Sequence, residues 1–544
     1  MSVYLFWCLC GLLLQGVTQG FLFGEENSDS LPRPAIAQTT CGPVQGQFDG
    51  NGFGYRGIPY AVPPVGTRRW QPPEPLSREN GTCWTGTYNA SRLRNACVQL
   101  LDKVVGSEDC LFLNVWSPTN STSANLPVMV YIHGGSLLTG NSDWPGFSAN
   151  EKLARDTNIV YVSLNYRLQA FGFMALDILT QNSKFNTSGN YGFMDQIRAL
   201  KWVRDNIRNF GGDPKKVTVY GHSAGGTSVM ALTASPLAKG TFQKAIMMSA
   251  SPLLYKTLAE ASADNLVFLK NTNCSTLTCL QQLSAEEVTQ AVPWNVFPFW
   301  GMTDLVDVPV KGKLDGGLAI IDGLVLKESP FDSWVNGRSI DVPLIIGTAA
   351  QETDYYFYPK EFTDESMYTD YVLRKLGTFG TDIAKMALKL YPTGEKSVRE
   401  QFTSMVSDAR VGCGNDVTAL WAAVNTNSSV YRYVTTSRPS VPVWPWGFQT
   451  NASLSFSGWD AFAFYGLMPY PIDYPSTSDV MFTANIRREF LSFVETGSPY
   501  SKDWLPYPEN IALMSSQTTA AAGYHSQQCN FWMQNGFFNY SWVN

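Results

Sequence analysis

A buried strand that runs straight into a glycine-flanked serine, and from there into a helix, leaves a chain few folds to choose from. Here that run is KVTVYGHSAGGTSVMALTA, residues 216–234. KVTVY reads as a buried strand, TSVMALTA as a helix, and the G-x-S-x-G between them as a nucleophile elbow. Glycines flank such a turn because its strained backbone and tight strand–helix packing leave no room for side chains. The turn lifts Ser223 clear of the strand, and the helix N-terminus offers its dipole and the Ala224 N–H to a developing oxyanion. A serine used in this way needs a histidine to take its proton. The 544 residues contain three, His133, His222 and His525.

The flanking sequence supplies a sheet for the elbow. LPVMVYIHGG (126–135) and NIVYVSLNYR (158–167) are short apolar runs of buried-strand type. Between the latter and the elbow strand, MDQIRALKWVRDNIRNF (194–210) repeats Ile197, Leu200, Val203 and Ile207 at helical spacing before GGDP ends it. Strand, helix, strand, sharp turn, helix predicts an α/β fold with a large, mostly parallel central sheet covered by helices on both faces. In HGGS (133–136), paired glycines after a strand free N–H groups to face negative charge, so Gly134 and Gly135 join Ala224 as candidate oxyanion donors.

A chain that is 44% hydrophobic and 15% charged can bury a large core, and its net charge of −6 excludes a nucleic-acid partner. Residues 1–20, MSVYLFWCLCGLLLQGVTQG, have the apolar core and small-residue end of a signal peptide, although no Lys or Arg precedes the core. The run is too short, and residues 21–40 too polar, for a transmembrane anchor, so the mature protein is expected to be secreted. Cys41, Cys83, Cys97, Cys110, Cys274, Cys279, Cys413 and Cys529 then remain, an even set that favours disulfides. Without CxxC or HExxH there is no metal-site signature, and no cofactor is expected. Sequons at Asn80, Asn89, Asn120, Asn186, Asn427, Asn451 and Asn539 are candidate glycosylation sites.

Longer motifs then carry a resemblance. YRGIPYAVPPVGTRRWQPPEP (55–75), SEDCLFLNVWSP (107–118), GNYGFMDQIRALKWVRDNIRNFGGDP (189–214), the elbow and QQCNFW (527–532) resemble the carboxylesterase/cholinesterase family, the type-B carboxylesterases of the α/β-hydrolase fold. The resemblance runs from about Cys41 to Trp532 and implies one large domain over 41–544, preceded by an extension over 21–40. It implies pairings Cys97–Cys110, Cys274–Cys279 and Cys413–Cys529, leaving Cys41 and Cys83 for each other. It places the nucleophile on Ser223, the oxyanion donors on Gly134, Gly135 and Ala224, and the acid on Glu352 in GTAAQETDYY. Ser249 and Asp408 match positions that brace the acid and the histidine.

The family's histidine opens a segment of the form H-G-x-[DE]-x-F-x-x-F-G. The matching stretch is SGWDAFAFYG (457–466), where Ser457 stands in its place. No other histidine is expected to substitute. His222 should pack or bond locally, because successive side chains at the elbow diverge; His133 matches a structural position, and His525 lies in a polar loop held near Cys529. Two readings follow. One is a secreted carboxylesterase-family protein whose hydrolysis of small apolar esters through a Ser223 acyl-enzyme is impaired. The other is a non-catalytic extracellular binding or adhesion protein with a protein partner, as in neuroligin-like members. A cholinesterase is disfavoured, because the first disulfide loop, VQLLDKVVGSED, has no aromatic residue. The aromatic stretches PWNVFPFW (293–300) and PVWPWGF (442–448) are candidates for an apolar pocket.

Overall fold

The computed structural model describes residues 32–76, 82–293, 306–313, 317–354, 362, 364–394, 396–445, 451–469, 471, 472 and 474–542. The leader, most of the extension, Asn80, residues 294–300 of the first aromatic stretch and residues 446–448 of the second lie outside the described residues.

Twelve strands form the path of one sheet: β1 (Arg33–Thr39), β2 (Gly42–Phe48), β3 (Phe53–Pro59), β4 (Phe112–Ser117), β5 (Leu126–Ile132), β6 (Val160–Leu164), β7 (Gly212–His222), β8 (Lys244–Met248), β9 (Leu344–Ala349), β10 (Val430–Thr435), β11 (Ile511–Met514) and β12 (Thr518–Ala521). Their spatial order is β1-β2-β3-β4-β6-β5-β7-β8-β9-β10-β11-β12, and the two-residue strand Tyr88–Asn89 pairs beside β2. Every pairing from β6 through β11 is parallel. The pairings outside that block, β1 to β4 to β6 and β11 to β12, are antiparallel.

The parallel block is apolar on both faces because helices cover both. Along β5, Val128, Val130 and Ile132 join one core with Val217 and Val219 of β7 and with Ile197, Leu200 and Val203 of α1 (Tyr191–Asn206). Met129 and Tyr131, one residue out of phase, join a second core with Tyr220, Ile345 and Tyr433. That core is closed by α3 (Trp459–Tyr465) and α4 (Thr477–Thr496), which supply Phe462, Phe464, Phe490 and Phe493. The period-two side-chain alternation of a strand thus feeds two cores from one sheet. The helix expected over 194–210 begins three residues earlier, at Tyr191, and its last turn, Ile207–Phe210, is 3-10 before Gly211 at φ 87°.

One expected boundary moves. Residues 33–39 are not part of an extension, since they pair along their whole length with β2 as the first strand of the sheet. Four disulfides fasten the fold: Cys41–Cys83, Cys97–Cys110, Cys274–Cys279 and Cys413–Cys529. Among the described residues no helix is long and apolar enough to cross a membrane.

Candidate active site

The site lies where β7 ends. Ser223 links β7 to α2 (Ala224–Ala234) at φ 56° and ψ −127°, a left-handed backbone that a residue with a Cβ rarely adopts. The surroundings hold it there. The Ser223 N–H donates to the Met248 carbonyl at 2.9 Å, and its own carbonyl accepts from the Thr227 N–H at 2.9 Å. A Cβ on Gly225 would stand 2.1 Å from the Ile132 carbonyl oxygen, and one on Gly221 would stand 2.4 Å from the Gly225 carbonyl carbon. The two glycines therefore let α2 start directly against the ends of β5 and β7, leaving Ser223 half-buried at the rim.

The loop after β5 lies against the elbow. A Cβ on Gly134 would fall 2.6 Å from the His222 carbonyl oxygen and 3.3 Å from the Ser223 Cβ. Gly135, at φ 103°, turns the loop so that its carbonyl accepts from the N–H groups of Leu138 and Thr139, each at 2.9 Å. Gly134 and Ala224, the first residue of α2, thus flank Ser223.

Glu352 follows β9 in a turn and is fully buried. Its Oε1 accepts from the Ser249 hydroxyl and from the Ala349 N–H, both at 2.7 Å. Burial pushes its carboxyl up from the ordinary 4.5 to about 7; the Ser457 hydroxyl, the Ala349 N–H and the Ser249 hydroxyl pull the other way, and nearby Asp460 adds to the rise. Ser457 is joined to Glu352 through the backbone as well, its N–H donating to the Glu352 carbonyl at 3.3 Å. Ser223, Ser249, Glu352 and Ser457 therefore gather from four separate strand ends and turns. Asp408 takes a different place: its Oδ2 accepts from the Tyr391 hydroxyl and meets His525 Nδ1, each at 2.6 Å. The brace expected of it is directed at His525 rather than at Glu352 or Ser457.

The three histidines have distinct settings. His133 stacks on Tyr166 at 4.3 Å, and burial lowers its pKa to about 4. His525 lies over Tyr524 at the start of α5 (Ser526–Gln534), and its carbonyl accepts from the Cys529 N–H at 2.8 Å, near Cys529 as expected. His222 departs from expectation. Its Nε2 is 2.9 Å from the hydroxyl of Ser457, 235 residues away, so its bond is not local. Burial lowers its pKa to about 3, so the ring is neutral at ordinary pH. The available signal was the coincidence of a histidine beside the nucleophile with a serine at the histidine's usual position.

A serine on a strand–turn–helix elbow at the end of a central parallel strand, with a glycine loop against it, is the arrangement of an α/β-hydrolase fold. The carboxylesterase family model matches residues 33–532. Para-nitrobenzyl esterase of Bacillus subtilis is 36% identical over 68% of this chain and 73% of its own length. Neurotactin of Drosophila melanogaster is also 36% identical, over 64% of this chain but only 42% of neurotactin. A solved PNB esterase structure superimposes with a TM-score of 0.72 at 30% identity, over 91% of this chain and 99% of its own. The chain belongs to the carboxylesterase family.

Proposed function

We propose that this is a secreted member of the family whose hydrolysis of carboxylic esters is impaired. The family reaction needs Ser223 Oγ to attack the ester carbonyl, with the oxyanion facing the N–H groups of Gly134, Gly135 and Ala224. A base must accept the serine proton, return it to the leaving alkoxide and then activate water to release the acyl group. The observation that carries the reading is Ser457 at the position that matches the base, its hydroxyl 2.9 Å from His222 Nε2 and its N–H on the Glu352 carbonyl. A hydroxyl is too weak a base to serve at neutral pH. Removing the histidine of a serine protease costs on the order of 10⁶ in kcat, about 8 kcal/mol, while the oxyanion site and binding retain roughly 10³–10⁴ over water.

Secretion is supported by the leader-like residues 1–20 and by four disulfides, which persist in oxidising compartments. Exposure of Asn89, Asn120, Asn186, Asn427 and Asn539 suits glycosylation at those sequons. The serine at the base position also supports a second reading, a binding or adhesion protein that keeps the hydrolase fold for its surface.

Hydrolysis of p-nitrophenyl acetate and butyrate by the purified protein, beside Ser223→Ala, tests the first reading. The two proteins should run at similar, low rates. Rapid turnover that Ser223→Ala abolishes would mean that a working base is present.

A further inference from the structure

His222 immediately precedes the nucleophile, and successive side chains at the end of a strand point to opposite sides. Its ring therefore turns away from Ser223 and crosses to residue 457, where Nε2 meets Oγ at 2.9 Å. Phe147 lies nearly parallel to it, ring centres 5.6 Å apart and planes 20° apart. Both members of the contact are enclosed, His222 being 6% and Ser457 1% exposed. The Ser457 hydroxyl oxygen is one bond from its Cβ, so an imidazole already touching that oxygen takes up room that a ring on residue 457 would need. On its other side the same hydroxyl favours the charged form of Glu352. The backbone ties the same residue to the acid, the Ser457 N–H donating to the Glu352 carbonyl at 3.3 Å. Ser457 thus touches the acid through the backbone and the imidazole through its hydroxyl, but the imidazole is on the wrong residue to take a proton from Ser223.

We propose that His222 is a positioning residue that occupies the place of the missing base, so that the site is disarmed by residues 222 and 457 as a pair rather than by the loss at 457 alone. This rests on the reading of Ser223 as nucleophile and Glu352 as acid. It implies that returning a histidine to residue 457 is not enough, because the His222 ring stands in its way. Re-arming the site takes both changes.

The test compares p-nitrophenyl acetate hydrolysis by the parent, Ser457→His, and the double variant His222→Ala with Ser457→His. The double variant should exceed both others by about 10²–10⁴, the ordinary contribution of a placed general base. Its rate should also rise with pH through a midpoint near ~6.5, the usual range of a histidine. If Ser457→His alone matches the double variant, or the double variant gains nothing, the pairing is overturned while the impaired-esterase reading stands. A parent already as fast as the double variant would overturn that underlying reading instead. A contact test avoids large side chains altogether. With three histidines in the chain, the ring ¹H–¹⁵N spectrum is simple, and Ser457→Ala should move the His222 signals while those of His133 and His525 stay. Unmoved His222 signals would show that the pair does not exist.

Discussion

His525 Nδ1 stands 2.6 Å from Asp408 Oδ2 across 117 residues of chain, on the oxygen that also receives the Tyr391 hydroxyl. Trp532 of α5 in turn donates its indole N–H to Tyr391 at 2.9 Å. The pair therefore anchors the start of α5 to the segment before Cys413. His525→Ala should cost about 1–3 kcal/mol in urea unfolding, the usual cost of leaving a buried hydrogen-bond partner unsatisfied. It should leave p-nitrophenyl ester hydrolysis at the parent's rate. Loss of hydrolysis with unchanged stability would instead make His525 the base.

Glu352 predicts a pH dependence of stability. Its folded pKa is raised to about 7 from 4.5, chiefly by burial. Between those values the folded carboxyl keeps a proton that the unfolded chain has released. Stability therefore falls as pH rises through that window and levels off above about 7. From pH 5 to pH 8 the cost from this one group is about 2–3 kcal/mol, at 1.36 kcal/mol per unit. Glu352→Gln has no proton to lose, so its stability should fall by that much less over the same interval. Parallel curves for the two proteins would show that Glu352 is ionised throughout.

The architecture around the elbow was legible because it is written in local periods. Val128, Val130 and Ile132 alternate with Met129 and Tyr131 between two cores, and Ile197, Leu200 and Val203 share one helix face. β1 was not legible, because its inward residues are only Ala35 and Ala37, and RPAIAQT carries little strand propensity without its partner β2. At the site, the turn at Ser223 and the glycine loop at Gly134 could be read from local sequence, because each follows an apolar strand. The divergence of His222 from Ser223 could be read as well, but its destination could not. That contact joins residues 235 apart and exists only once β7 and the turn before α3 have been packed together. Asp408 was misread for the same reason, since its partner is set by how the C-terminal segment docks.

Two glycine substitutions should separate crowding from backbone strain. Gly225→Ala places a Cβ 2.1 Å from the Ile132 carbonyl oxygen and 3.0 Å from the His133 carbonyl carbon, both rigid backbone atoms. Relief requires α2 to move off β5, which should cost about 3 kcal/mol. Gly240→Ala meets nothing within 4 Å, and its only penalty is the left-handed φ of 79°, worth about 1–2 kcal/mol. Urea unfolding of both variants measures the difference, and equal losses would mean that the elbow is looser than its geometry indicates.

The disulfides should differ in worth according to the chain they enclose. Cys413–Cys529 closes 116 residues, whereas Cys274–Cys279 closes 5. If a cross-link acts mainly by restricting the unfolded chain, the long loop contributes about 5 kcal/mol and the short one about 2 kcal/mol. Placement adds to the contrast. Cys413 is fully buried in a core with Tyr391, Phe402 and Trp532, so its removal also loosens packing around α5. Cys274–Cys279 spans only the entry to the short helix Leu277–Gln282. Replacing each pair by alanines and unfolding without reductant should therefore lower stability by about 2–3 kcal/mol more for the 413–529 pair. A larger loss at 274–279 would mean that the short loop stabilises the folded state directly, through the Leu280 and Leu283 carbonyls that accept from Arg69 at 3.2 and 2.7 Å.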